Sequence, residues 1–367
     1  MSRTIGLPVL FAIALMSGPA SAQSRMEPGE YQQNASFLSR RFLTDAKNAA
    51  TLTDDFVRKA DKSYKVRVLL PNGGLLDSTG TLDHAPFAVK VFLDHVNAYE
   101  QANGVTFALM PYLNGYSPQD TAHAANLRLD LENPAARAHI VAECGRYVSA
   151  NVPGSYVRGA ARPFDGIVLD LEPAGDPTFL ASLKTLVQEI RASFDAMGLR
   201  NKSIGFAAPQ YTDRTPKPNW GWSASDYYYL ARYVNYVIAM TYDSGLTDES
   251  KYGPWMSDQT TRILQAVSGA TWKFDAAHPK PANGVRVLLG LPGFGTPTKA
   301  HNPDVENVVH GAAGIADALS QLKSKDRASL SYFQGAAMYT HDGGAPDSPY
   351  ARYDKDWLWW KNNWLGQ

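Results

Sequence analysis

The chain has 367 residues, with 35 Lys and Arg against 35 Asp and Glu, 44% hydrophobic residues and a single cysteine. Balanced charge excludes the concentrated basic field that a phosphate-binding surface needs, so no nucleic-acid partner is expected. The lone Cys144 excludes an intrachain disulfide, and a core large enough for a chain of this length must hold it together.

Residues 1–22 carry Arg3, an apolar run from Ile5 to Met16, and small residues ending in Ala20-Ser21-Ala22. That pattern is a cleaved export signal, and its apolar run is too short to serve as a membrane anchor. The expectation is a secreted or periplasmic protein in which residues 23–367 form one catalytic domain.

Apolar extended runs then alternate with helical segments. Candidate strands are Ser36–Thr44, where Arg40 and Arg41 interrupt the pattern, and the segments 65–72, 105–113, 164–173, 202–209, 236–243, 284–292 and 334–342. Except for the first, each has the nearly unbroken apolar core of a strand covered on both faces. Between them the spacing predicts helices over 54–62, 87–103, 135–149, 178–197, 226–232, 258–268 and 307–323, with a last one over 354–364. Asn133 and Pro134 form a helix-start signal, and Leu180, Leu183, Val187, Ile190 and Phe194 recur at spacings of three and four. Eight strands alternating with helices give an α/β fold, the (β/α)8 TIM barrel. The excursions at 75–87, 114–133, 212–225 and 271–283 are the longer connections. Among these, PNWGWS (218–223, with Trp222) and, further on, YGPW (252–255) are candidate cleft walls. The four Trp residues 357, 359, 360 and 364 are read as packing at the barrel bottom or side.

The segment GIVLDLEP (166–173) carries the chemistry. Strand side chains alternate, so Val168, Asp170 and Glu172 share one face and Leu169 and Leu171 the other. In a barrel the first face is interior, with Glu172 at the open end. Two carboxyls so placed have a use: one protonates a leaving oxygen while its neighbour controls its proton affinity and stabilises developing positive charge. A lone Asp-x-Glu also arises as an ion-paired or loop-capping pattern. Here Asp165-Gly166 precede it, Pro173 follows, and Tyr242-Asp243 end a later strand.

These residues resemble glycoside hydrolase family 18, the chitinases and endo-N-acetylglucosaminidases with their inactive lectin-like relatives. The family motif DGxDxDxE is matched by Asp165-Gly166-Ile167-Val168-Leu169-Asp170-Leu171-Glu172, and Met-x-Tyr-Asp by Met240-Thr241-Tyr242-Asp243. The resemblance implies a retaining, substrate-assisted hydrolysis of β-linked N-acetylglucosamine glycans. In it Glu172 is general acid and then base, Asp170 orients the substrate acetamido group, and Tyr242 hydrogen-bonds its oxygen. Asp243 and Met240 are implied as pocket residues. Val168 departs from the motif where the family has its first Asp. The usual strand-eight Trp is replaced around Tyr339-Thr340-His341, making Tyr339 and His341 candidate substrate contacts with Trp222.

No HExxH, Cys/His cluster, nucleotide-binding glycine motif or GxSxG is present, so neither metal nor cofactor is expected. The expected partner is an oligosaccharide or polysaccharide, and no obligate protein partner is inferred. Two alternatives stay open: a non-catalytic, lectin-like barrel, and a glycosidase for a sugar lacking a 2-acetamido group, which needs a second carboxylate near Glu172 as nucleophile, Asp243 being one candidate.

Overall fold

A computed structural model describes residues 33–215, 217–218, 220–270, 284–295 and 297–341, together with Trp360 and Trp364. Residues 1–22, expected to be an export signal, the 271–283 excursion, Trp357, Trp359 and Asp342 lie outside the described residues. Eight parallel strands close into a barrel: β1 (Asn34–Leu38), β2 (Val66–Leu76), β3 (Ala108–Leu109 and Tyr112–Tyr116), β4 (Gly166–Glu172), β5 (Ser203–Ala208), β6 (Tyr236–Ala239), β7 (Arg286–Pro292) and β8 (Phe333–His341). Each strand pairs with the next, and β8 returns to β1 through Ala35 opposite Ala337. The sequence therefore folds as the (β/α)8 barrel its periodicity predicts.

Helices α1 (Arg41–Thr44), α2 (Ala49–Lys59), α3 (Val89–Asn103), α4 (Pro134–Val148), α5 (Pro177–Ala196), α6 (Ala224–Ala231), α7 (Glu249–Ser268), α8 (Val308–Lys325) and α9 (Arg327–Leu330) complete the chain order. Their starts follow from local chemistry. Asn133 caps α4 by accepting from the Ala135 N–H at 2.9 Å, with Pro134 at the first helical position. Asp176 caps α5 in the same way, accepting from Thr178 and Phe179 at 2.9 Å each.

The first strand differs from the expectation of 36–44. It spans only Asn34–Leu38, because Phe42 and Leu43 turn into a short helix that buries both against the core. Arg40 reaches Asp83, on the connection after β2, at 3.6 Å, which gives that cation a partner that no strand interior offers. The helix predicted over 54–62 starts earlier, at Ala49, and ends in a π-helical turn over Ala60–Tyr64. YGPW is also corrected: it lies within α7, where Tyr252 is buried and its hydroxyl donates to the Thr241 carbonyl at 3.1 Å, so the segment is packing rather than a cleft wall.

Two apolar layers result. Between strands and helices lie Leu169, Leu171, Leu183, Ile190, Phe206, Leu289 and their neighbours; inside the barrel lie Phe37, Val68, Leu70, Met110, Tyr112, Val168, Ile238, Leu288 and Ala337. Along β4, Leu169 and Leu171 belong to the first layer and Val168 to the second, the alternation that places Asp170 and Glu172 toward the interior. At the opposite end Trp360 donates to the Tyr64 carbonyl at 3.0 Å, and Trp364 approaches Asn34 Oδ1 at 3.5 Å. Asn34 Oδ1 also accepts from Ala336 N–H at 3.0 Å, so Trp360 and Trp364 pack where β1, β2 and β8 begin.

Asp165 and Gly166 have a structural task in launching β4. The Asp165 carboxylate accepts from Leu109 N–H at 2.9 Å and pairs with Arg162, while its carbonyl accepts from Ser203 N–H at 2.8 Å, so one residue holds the registers of β3, β4 and β5. A Cβ at Gly166 would stand 2.2 Å from the Ser203 carbonyl oxygen. Gly166→Ala should therefore destabilise the chain by about 3 kcal/mol in urea unfolding, because backbone cannot yield as a side chain does. A loss under about 0.5 kcal/mol would mean that β4 and β5 are not held this closely.

Candidate active site

Three strand ends build the site. From β4 come Asp170, buried, and Glu172, partly buried. From the segment after β6 come Met240 and Tyr242, which pack with Ala207, Phe294 and Tyr339 in a separate cluster at the mouth. From β8 comes Tyr339, whose ring stacks on Tyr242 with centroids 5.8 Å apart and planes 24° apart. Tyr339 also meets Phe37 edge-on at 5.3 Å, and Phe37 meets Tyr112 at 5.1 Å, so an aromatic layer separates the barrel interior from the mouth.

Asp170 is the most constrained polar group. Its Oδ1 is sealed from solvent and has no hydrogen-bond partner among the described residues. Burial raises its pKa, since a desolvated carboxylate is costly. Glu172 rises well above the ordinary value through burial and the nearby Asp170, Asp243 and Asp120. The two form one coupled system, and near neutrality the pair tends to retain a proton. Val168, where an acid would add a further like charge, is instead fully buried among the apolar residues inside the barrel.

The Tyr242 hydroxyl is driven well above its ordinary pKa by burial first, then by Tyr339, Glu172, Asp170 and Asp243. It therefore stays an O–H, able to donate a hydrogen bond. Gly290 permits its placement: a Cβ there would meet the Ala239 carbonyl at 2.6 Å and the Tyr242 ring at 3.0 Å. Asp243 follows in the left-handed region at φ 56°, with 47% of its side chain exposed.

The connection after β3 adds residues absent from the sequence motifs. Ser117 N–H donates to the Glu172 carbonyl at 2.7 Å, and Asp120 N–H donates to the Ser117 carbonyl at 3.0 Å, which sets this turn beside the acid. Asp120 pairs with His123 at 3.0 Å, and the His123 ring stacks on Tyr116, the residue opposite Glu172 in the β3–β4 register. Nothing in the sequence motifs marked Tyr116 or Asp120. His301 and Glu306, from the connection after β7, were equally silent in sequence.

Trp222 requires a correction. It is fully buried, its ring stacked on Phe206 at 5.3 Å and edge-on to Tyr227 at 5.4 Å, and its Nε1 donates to the Ala174 carbonyl at 2.7 Å. Both faces are occupied by protein, so Trp222 braces the chain just after Glu172 from behind and offers no surface to a sugar. The peptide bond between Glu172 and Pro173 within that braced segment is cis. His341 ends β8, and its side chain lies outside the described residues.

No protein-family model matches the chain, and no curated protein matches it. Solved structures do. A GH18 chitinase from Chromobacterium violaceum superposes with a TM-score of 0.52 at 16% identity, covering 92% of this chain and 84% of that one. The C-terminal domain of a putative chitinase from Desulfitobacterium hafniense gives 0.51 at 15% identity, over 89% and 99%. The spore cortex-lytic enzyme SleL of Bacillus megaterium gives 0.51 at 14%, over 90% and 74%. The fold resembles those of GH18 chitinase-like hydrolases.

The raised carboxyl pKa values carry a signed consequence for stability. The native state holds protons on Asp170 and Glu172 that the unfolded chain releases above the ordinary aspartate value of 3.8, so their burial costs stability increasingly as pH rises from there. Asp170→Asn should thus be more stable than the parent by about 2 kcal/mol near neutral pH, with the difference shrinking toward about pH 4. Denaturant titrations at several pH values check this; a pH-independent difference would mean that Asp170 titrates normally.

Proposed function

We propose that the chain is an exported glycoside hydrolase that cleaves β-linked glycans containing N-acetylglucosamine, with retention of configuration and with the substrate's own acetamido group as nucleophile. The observation that carries the reading is Asp170: a buried carboxyl with an unpartnered oxygen, on the same strand face as Glu172 and one residue pair deeper. Such a group gains most from a ligand that brings a hydrogen-bond donor and develops positive charge, as an acetamido nitrogen does on becoming an oxazolinium ion.

In this scheme Glu172, its proton retained near neutrality, protonates the glycosidic oxygen as the acetamido oxygen attacks the anomeric carbon. Asp170 holds the acetamido N–H and balances the charge of the ring that forms. Tyr242, kept as a donor, hydrogen-bonds the acetamido oxygen. Glu172, now ionised, takes a proton from the water that opens the intermediate. No protein carboxylate becomes a nucleophile, which is the exception to the two-carboxylate pattern of glycosidases. Tyr339 and Met240 contribute the apolar surface beside the sugar, Asp243 a half-exposed carboxylate for its hydroxyls; His341 is the further contact proposed from the end of β8. The export assignment rests on Arg3, the apolar run Ile5–Met16 and Ala20-Ser21-Ala22.

One observation favours a second reading, a barrel that binds such glycans without cleaving them: Val168 fills with apolar surface the position at which the family resemblance expects an acid. Digestion of N-acetylglucosamine oligomers between about pH 4 and 8, read by mass spectrometry and by NMR of the new anomeric centre, separates the two. The hydrolase reading expects β-configured product first, no product from Glu172→Gln, and a kcat loss of about 10- to 100-fold in Tyr242→Phe. Saturable binding with no product would establish the binding barrel, and inverted product would contradict the acetamido mechanism.

A further inference from the structure

His301 and Glu306 lie on the connection between β7 and α8, outside every motif legible in the sequence, and both side chains are fully buried. Four donors converge on the Glu306 carboxylate. Asp243 N–H at 2.8 Å and His301 Nδ1 at 3.1 Å approach Oε2; Ser244 N–H at 2.9 Å and the Ser244 hydroxyl approach Oε1. A buried anion this well supplied with donors is a fixed point rather than a group awaiting a partner.

What it fixes is the turn that carries Tyr242 and Asp243. Asp243 sits at φ 56°, a region that residues other than glycine seldom adopt, and such a conformation persists only where its surroundings determine it. Further ties to this turn run through Thr241 Oγ1 to the Gly290 carbonyl at 2.7 Å, from the Tyr252 hydroxyl to the Thr241 carbonyl at 3.1 Å, and from Gly245 N–H to the Ala300 carbonyl at 2.8 Å. On its other side the His301 ring lies 4.1 Å from the Phe294 ring, which meets both Tyr242 and Tyr339 edge-on at 6.0 Å. His301 thus touches both the anchor beneath the turn and the aromatic wall beside it.

Asp243, His301 and Glu306 also bring ligand-type atoms within 4.8 Å of one another, as a metal site would. The hydrogen bonding argues for another role. Both Glu306 oxygens are engaged by N–H and O–H donors, and His301 directs Nδ1 at Glu306 and Nε2 at the Phe294 carbonyl, 3.3 Å away. A metal-binding imidazole must present a lone pair, and here each ring nitrogen faces an acceptor.

We infer that His301 and Glu306 are positioning residues that hold the Tyr242 hydroxyl and the Asp243 carboxylate in the geometry the sugar requires. The inference rests on the hydrolase reading of the same site. Steady-state kinetics on an N-acetylglucosamine oligomer would compare the parent, His301→Ala and His301→Asn, with a melting temperature for each. The alanine variant should lose about tenfold in kcat with KM within about twofold. Asparagine, whose amide N–H can replace Nδ1–H toward Glu306, should recover most of that kcat while melting as low as the alanine variant, because it restores the hydrogen bond and not the ring packing. Equal kcat in parent and alanine variant, or recovery of kcat only in step with melting temperature, would overturn the positioning role. Loss of turnover on chelation, restored by added Zn2+, would replace it with a metal site. Should the parent cleave nothing, the hydrolase reading falls separately, and amide hydrogen exchange then decides. The Asp243 and Ser244 amides should exchange at least about tenfold faster in Glu306→Gln, whose NH2 must oppose one of these donors, and unchanged exchange would refute the anchor.

Discussion

Everything at the site depends on two carboxyls being carried into a place where water solvates them poorly. The alternation of β4 gives the chain no choice: once Leu169 and Leu171 pack under the helices, Asp170 and Glu172 must point inward. The barrel then supplies apolar or aromatic surface beneath and beside them, from Val168, Tyr112, Phe37 and Tyr339. A desolvated pair of acids resists ionisation, and that resistance makes a carboxyl available as an acid near neutral pH. The cost is borne by the surrounding fold, whose helices and strand registers do not depend on the pair.

The supporting structure is correspondingly rigid where it touches the site. Asp165 ties three strands together at the start of β4, Trp222 braces the chain just past its end, and Gly166 and Gly290 let neighbouring backbone and the Tyr242 ring come close. On the opposite wall, Glu306 gathers the turn that follows β6. The site is thus held from behind β4 and from beneath Asp243, while the groups proposed to act on the sugar, the Glu172 carboxyl and the Tyr242 hydroxyl, are left without hydrogen bonds to described side chains.

The barrel and its carboxyl-bearing strand were legible in the sequence because both rest on short-range rules. Apolar runs set the strands, Asn133-Pro134 set a helix start, and period-two alternation set the direction of Asp170 and Glu172. The misreadings share a cause of the opposite kind. Trp222 was a candidate substrate contact because its excursion was read as a cleft wall, yet Phe206, Tyr227 and the Ala174 carbonyl, distant in sequence, bury it. YGPW was a candidate cleft wall, but α7 includes it and packs Tyr252 against Thr241. His301 and Glu306 gave no signal at all, since a buried acid that binds a turn some 60 residues away has no local pattern; it is the parallel pairing of β6 with β7 that brings the connections after them together.

The central claim is that the pair of carboxyls at the end of β4 keeps a proton at neutral pH, and infrared spectroscopy of the protein tests it without any substrate. Difference spectra across a pH titration should show a protonated carboxyl band that persists to about pH 7 and disappears in Glu172→Gln or shifts in Asp170→Asn. A spectrum in which every carboxyl is ionised by about pH 5 would contradict the account, because Glu172 would then hold no proton to give.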